Sequence, residues 1–156
     1  MGRTRSTTAI IAVAAVVALA AAACGGGSPK TKSGGTGTAT GTAIGVTLKD
    51  FSISALKPTV AAGAVTFSIK NAGPSVHEFV ILKTDAIPTQ LPTKVEDGAK
   101  AADEEGTGVE HIDEVENIAA GATASLSVNL TPGNYVFICN LPGHYHLGMS
   151  TAFVVS

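Results

Sequence analysis

Apolar and polar residues alternate over several short segments from residue 44 onward, with the two-residue period of half-buried β-strands. The alternating segments are residues 65–69, 124–130, 134–139 and 151–155, and a denser apolar run covers residues 77–82. Turn-forming residues separate these segments, among them a Thr-Pro-Gly sequence at residues 131–133. No segment here has a convincing helical period. The pattern predicts an all-β domain folded as an antiparallel β-sandwich.

The first 23 residues have the pattern of an export signal. Arg3 and Arg5 give a positive start, and residues 9–23 form an apolar run too short for a comfortable membrane span. Three alanines stand directly before Cys24, which resembles the lipobox of bacterial lipoproteins, although Ala21 replaces the Leu that this pattern prefers. We expect diacylation of Cys24 and a lipoprotein on the extracytoplasmic side of the cell membrane. Simple secretion with a free Cys24 and an uncleaved anchor are the alternatives.

The segment that follows, residues 24–43, is rich in Gly, Ser, Thr and Lys and has no periodic apolar residue, which predicts a flexible linker. Residues 44–156 then form one domain, and the 156-residue chain has no room for a second, catalytic one. Charged residues make up only 14% of the chain and Gly reaches 18, which suits short strands and turns. The formal net charge of -2 gives no reason to expect nucleic acid as a partner.

An acidic insertion interrupts the strand pattern between residues 84 and 117. It holds ten of the 12 acidic residues, all except Asp50 and Glu78, against two lysines. One interpretation is a solvated excursion with a helical turn around residues 95–105. The other is an acidic face that orients a charged partner, since the lysines of the domain lie mostly outside this segment.

The candidate chemistry lies in residues 139–149, where Cys139, His144 and Met149 share one short loop between two predicted strands. Soft sulfur ligands together with imidazole select copper, and two His with one Cys and a long axial Met form the blue-copper arrangement. That set needs one more His. His77 stands where a predicted strand follows a Gly-Pro turn, and neighbouring strand ends in a sandwich can bring it beside the loop. The residues therefore predict a site for one copper ion.

This pattern resembles the cupredoxins, the blue copper proteins, whose site is a distant strand His followed much later by Cys, His and Met on the last loop. The resemblance covers roughly residues 44–156 and rests on Cys-x4-His-x4-Met, with Pro-Gly before the His and Gly before the Met. It implies a Greek-key β-sandwich in which His77, Cys139 and His144 are equatorial copper ligands and Met149 is the axial one. It further implies a monomer that shuttles single electrons to partner proteins of the cell envelope and has no enzymatic activity.

Other functions use some of the same residues. Cys139 as a nucleophile with His144 as its base lacks a convincing third group. A structural zinc site made of His77, Cys139 and His144 leaves Met149 without a role. The main alternative is an extracytoplasmic copper carrier or storage protein, although such proteins favour runs of Met or His, and this chain offers only His144-x-His146.

Three further residues bear on the site. We interpret His146 as a surface residue near it and His111 as part of the acidic insertion. Glu78 follows the predicted ligand His77, where several cupredoxins carry an Asn that braces the ligand loop. The hydrogen bonding around the ligands is therefore expected to differ from the family pattern.

Overall fold

A computed structural model describes residues 41–96 and 98–156 of the chain. The predicted signal, the predicted lipidation site Cys24 and almost all of the predicted linker lie outside these residues. The first strand begins at Thr42, two residues before the predicted start of the domain. Within the described residues, no helix is long and apolar enough to cross a membrane.

The described residues form eleven β-strands and one short 3-10 helix, Pro88–Gln90, which confirms the predicted all-β class. The strands are β1 Thr42–Lys49, β2 Ser52–Ala55, β3 Thr59–Val60, β4 Gly63–Asn71, β5 His77–Lys83, β6 Thr93–Glu96, β7 Ala99–Ala102, β8 Glu110–Ile118, β9 Thr123–Leu130, β10 Gly133–Ile138 and β11 Ser150–Val155. Two sheets make up the sandwich, in the orders β2-β1-β4-β9 and β3-β11-β10-β5-β8, and β6 pairs with β7 as a separate hairpin.

The sheets are mixed rather than wholly antiparallel. Strand β1 pairs in parallel with β4, and β11 pairs in parallel with β3. The reason is the path of the chain, which leaves the first sheet after β2, contributes β3 to the second, and returns beside β1. The other strand pairs are antiparallel, including those that carry the site.

The core lies between the two sheets and centres on four phenylalanine rings. Phe67 of β4 packs against Phe79, Phe137 and Phe153 of the opposite sheet, with ring centroids 5.3–5.8 Å apart. The alternation of buried and exposed side chains along β4 explains this contact, because Val65, Phe67 and Ile69 all point inward.

The acidic insertion is more ordered than the sequence pattern predicted. The helical turn predicted around residues 95–105 is wrong, because β6 and β7 form an antiparallel hairpin there. The end of the insertion is strand β8, which pairs with β5 as an edge of the second sheet. Six of the nine residues of β8 are polar or charged, which hid the strand in the sequence, but charged residues suit an edge that must not pair with another chain.

The first half of the insertion covers the outer face of the second sheet. Leu91 and Ala102 pack in a buried cluster with Val80 and Leu82 of β5 and Val136 of β10. Strand β5 is therefore buried on both faces, which accounts for its dense apolar sequence.

The ring cluster gives a first test. We expect Phe67→Ala to lower the free energy of unfolding by about 3–5 kcal/mol, because a fully buried ring is lost and leaves a cavity. Val95→Ala, at a side chain that is 78% exposed, should change it by less than about 0.5 kcal/mol. Chemical denaturation of both variants measures the difference, and equal losses would mean that the rings do not form the core.

Candidate metal centre

Strand pairing brings the two halves of the predicted ligand set together. His77 is the first residue of β5, and Cys139 directly follows β10. These strands are antiparallel neighbours, with Ile138 paired to Val80, so the start of β5 lies beside the end of β10. The loop that leaves β10 then carries His144 and Met149 before β11 begins.

Three potential ligand atoms converge at this point. The Nδ1 atoms of His77 and His144 are 3.3 Å apart, and the Cys139 Sγ lies 3.3 Å from His144 Nδ1 and 3.8 Å from His77 Nδ1. A trigonal metal centre with bond lengths of about 2.0–2.3 Å has edges of about 3.5–3.8 Å. The triangle therefore has the size that one metal ion requires.

The chemistry of the three donors also fits a metal. The Cys139 thiol has one hydrogen, which it can donate to only one of the two imidazole nitrogens that face it. Burial raises the pKa of the Cys139 thiol to about 11, and burial lowers the pKa of His144. A cation at the centre of the triangle would satisfy all three donors, with the cysteine as thiolate.

Met149 is brought to the same place by the loop. Its side chain is fully buried in the apolar cluster that also holds Cys139. Its backbone carbonyl accepts a hydrogen bond from the Cys139 N–H (3.1 Å), and its own N–H donates to the His144 carbonyl (3.1 Å). The structure thus brings three of the predicted ligand atoms together and places the backbone of Met149 against Cys139 and His144, and the donor set fits a single type 1 copper ion.

Two glycines shape the ligand loop. Gly143 and Gly148 have φ angles of +84° and +98°, which residues with a side chain rarely adopt. Between them the loop is held by backbone hydrogen bonds, from His144 N–H to the Leu141 carbonyl (2.9 Å) and from Leu147 N–H to the Gly143 carbonyl (3.0 Å). The Pro142-Gly143 bend is therefore part of a compact turn that fixes His144.

Asp50 is a neighbour of the site that sequence reasoning missed. One of its carboxylate oxygens lies 2.8 Å from His77 Nε2, the ring nitrogen that faces away from the triangle, and the other accepts a hydrogen bond from the Ser75 hydroxyl (2.6 Å). The bond from Ser75 holds the pKa of Asp50 below its usual range. No sequence motif indicated a role for Asp50, because a turn after β1 brings it to His77 only in the folded chain.

Glu78 braces the ligand loop in place of the Asn found in several cupredoxins. Its backbone N–H points at the Cys139 sulfur (3.5 Å), and its carboxylate accepts a hydrogen bond from the Asn140 N–H. Asn140 in turn donates to Glu104 of the acidic insertion (2.8 Å). Burial, followed by the nearby carboxylates of the insertion, raises the pKa of Glu78 to about 7.

An open acidic cavity of about 620 Å³ adjoins this side of the loop. Its charged and polar lining comes from β5, β8, the insertion and the ligand loop: Glu78, Lys94, Glu96, Glu104, Glu105, His111, Glu114, Glu116 and Asn140. His111 therefore belongs to the acidic insertion, as predicted, with its Nε2 3.5 Å from Glu104 and 3.8 Å from Glu114. His146 is exposed on the ligand loop and stands outside the triangle.

Comparison with known proteins places the chain in a family. The family model of the cupredoxin-like domain matches residues 8–152. No curated protein matches the sequence.

Solved structures with the same fold include three proteins at low sequence identity. Auracyanin from Roseiflexus castenholzii is 24% identical, with 74% of this chain and 97% of that chain covered and a TM-score of 0.52. Auracyanin A from Chloroflexus aurantiacus, described as a "blue" copper protein, is 24% identical, with 73% and 98% covered and a TM-score of 0.50. Rusticyanin from Thiobacillus ferrooxidans is 18% identical, with 74% and 79% covered and a TM-score of 0.50. With a family model that spans most of its length, the chain belongs to the cupredoxin-like family.

Proposed function

We propose that this protein carries single electrons by means of one type 1 copper ion bound by His77, Cys139, His144 and Met149. The observation that supports this most strongly is the convergence of two imidazole nitrogens and one thiol sulfur within 3.8 Å of one another. Two His, one Cys and a Met match the donor preferences of copper better than those of zinc, for which the thioether is a poor ligand.

Bound copper would supply the one-electron couple between Cu(I) and Cu(II). The protein's part is to hold the donors still and keep water away from them. His77 and Cys139 are fully buried, and the backbone hydrogen bonds of the ligand loop fix His144 and Met149. A donor set that barely moves between the two oxidation states lowers the reorganisation needed for each transfer.

His144 is the proposed route for the electron. Its ring is partly exposed, whereas the other proposed equatorial ligands are buried. Phe51, 38% exposed, packs edge-on against the His144 ring with centroids 5.1 Å apart, and Leu147 of the same loop is 59% exposed. This apolar surface around a ligand edge suits brief docking of a redox partner.

The same burial argues against the competing functions. A copper carrier must hand over its ion, and two fully buried ligands on rigid strand ends hinder that exchange. A nucleophilic cysteine needs a lowered pKa, whereas burial raises that of Cys139 to about 11. Electron transfer is compatible with buried His77 and Cys139, because the partly exposed edge of His144 is enough, and it needs no reactive thiol.

The cellular setting is proposed from the sequence. Residues 1–23 would direct export, acylated Cys24 would anchor the protein as a lipoprotein, and residues 24–43 would tether residues 44–156 on the extracytoplasmic side of the membrane. As a monomer on such a tether, the domain would reach redox partner proteins of the cell envelope.

The ligand assignment predicts a clear contrast between residues on one loop. Cys139→Ser should abolish the intense visible absorption of the copper-loaded protein, because the thiolate-to-copper charge transfer is lost. His146→Ala, at an exposed position outside the triangle, should keep it. Visible spectra after addition of one equivalent of Cu(II) measure this contrast. An unchanged spectrum of Cys139→Ser would show that the thiolate is not a copper ligand.

The axial role of Met149 predicts a change in potential without loss of copper. We expect Met149→Leu to keep copper and colour but to raise the reduction potential, because a weak donor to Cu(II) is lost. The two side chains have similar volume, so the fold should lose less than about 1.5 kcal/mol. A redox titration monitored in the visible measures the shift. Failure of the variant to bind copper would assign Met149 a larger role.

The acidic cavity beside the ligand loop predicts charge steering. Glu105→Gln with Glu116→Gln should slow electron transfer from hexaammineruthenium(II) at low salt, because exposed carboxylates near the loop attract this cation. The effect should fade as the Debye length shrinks from about 10 Å at 0.1 M to about 3 Å at 1 M salt.

A matched pair of variants provides the control for this test. Asp85→Asn with Glu110→Gln removes the same charge from a different cavity, at the far end of β5. Stopped-flow rates for that pair should stay near those of the unmodified protein. Equal slowing by both pairs would show that overall charge, rather than an acidic docking face, sets the rate.

A further inference from the structure

The carboxylate of Asp50 is held by contacts on several sides at a position behind the proposed ligand His77. It lies 2.8 Å from His77 Nε2 and accepts the Ser75 hydroxyl hydrogen bond on its other oxygen. The space is closed on a third side by Gly73, where an added Cβ would stand 2.6 Å from the Asp50 oxygen and 3.1 Å from His77 Nε2. No side chain fits at residue 73 without displacing this contact.

The turn that presents Ser75 and His77 is itself fixed from within. Asn71, fully buried, donates from its side-chain amide to the Ser75 and Ile118 carbonyls, each at 2.8 Å. Its side-chain oxygen accepts the Gly73 N–H at 2.9 Å. The amide thus ties the turn between β4 and β5 to the end of β8, and this turn carries Ser75 and His77, the two residues that contact Asp50.

The Asp50 contact decides which nitrogen of His77 carries the hydrogen. An ionised carboxylate is an acceptor only, so the hydrogen lies on Nε2 and the lone pair lies on Nδ1. Nδ1 is the atom that faces Cys139 Sγ at 3.8 Å and His144 Nδ1 at 3.3 Å. Since the ring is fully buried, no water competes for either nitrogen from bulk solvent.

We propose that Asp50 is a positioning residue of the copper centre: it holds His77 in the tautomer that presents Nδ1 to the ion, and its negative charge favours Cu(II) over Cu(I). This inference rests on the proposed function and adds to it a residue outside the ligand set. Carboxylates that orient a metal-ligating His in this way also raise the basicity of the ring. Asp50 therefore acts on the ion through His77, without coordinating it.

The rival explanation is that Asp50 only stabilises the turn after β1. Both explanations allow Asp50→Ala to lower stability, so stability does not separate them. The tautomer of His77 and the reduction potential do, because a turn-stabilising residue has no reason to change either one.

The test compares Asp50→Ala and Asp50→Asn with Asp85→Asn. The control removes the same charge beyond the far end of β5, a seven-residue strand about 20 Å long, where Asp85 bonds to Asn134. Three quantities are measured: the 15N shifts of the His77 ring in the copper-free protein, the affinity for copper, and the reduction potential.

We expect the copper-free protein to show His77 with hydrogen on Nε2, and Asp50→Ala to lose this preference. Its affinity for copper should fall roughly 10- to 100-fold. Both Asp50 variants should have a higher reduction potential than the unmodified protein, and Asp85→Asn should match the unmodified protein in all three quantities. Should Asp50→Ala not fold, the potential of the near-isosteric Asp50→Asn, compared with that of Asp85→Asn, decides the question.

The inference is overturned if the tautomer persists in Asp50→Ala and both Asp50 variants match Asp85→Asn in potential. That failure is distinct from failure of the proposed function. In the first case the unmodified protein still becomes blue with copper, whereas in the second it does not, and the tautomer measured without copper is valid in both.

Discussion

The antiparallel pairing of β5 with β10 is the constraint on which the site depends. It sets the first residue of β5, His77, beside the residue that follows β10, Cys139, although 62 positions separate them in sequence. Backbone hydrogen bonds and the rings of Phe79 and Phe137, with centroids 4.9 Å apart, fix this register from the core side. The sandwich therefore fixes the relative positions of His77 and Cys139. The eleven-residue ligand loop then supplies the other two proposed ligands.

The site is apolar on the side that faces the core and polar on the side that faces the acidic insertion, and each environment has its own consequence. Toward the core, Cys139 and Met149 lie in a dry apolar cluster, which favours soft donors and excludes water. Toward the insertion, Glu78 and Asn140 connect the loop to a cavity rich in carboxylates. Negative charge on this side stabilises the higher charge of Cu(II), and the exposed part of it attracts cations. Asp50 adds a further carboxylate, placed directly behind His77.

The sequence predicted the strands whose apolar residues alternate, and it offered a candidate ligand set whose spacing is unusual. Residues 139–149 could be interpreted without a structure because Cys, His and Met all lie on one local loop. Strand β8 was missed because most of its residues are polar, and an edge strand needs few apolar side chains. The hairpin of β6 and β7 was mistaken for a helical turn because Ala and Lys there favour a helix, whereas packing of Ala102 on the second sheet decides the outcome. Asp50 could not be predicted, since its role comes from a tertiary contact between two distant turns.

The most direct test of a type 1 copper site is a copper titration followed by visible absorption. If the two imidazoles, the thiolate and the thioether bind one ion together, one equivalent of Cu(II) should produce an intense thiolate-to-copper charge-transfer band, which should vanish on reduction and return on oxidation. A protein that binds copper with only weak visible absorption, or that needs several equivalents to develop colour, would contradict the assignment.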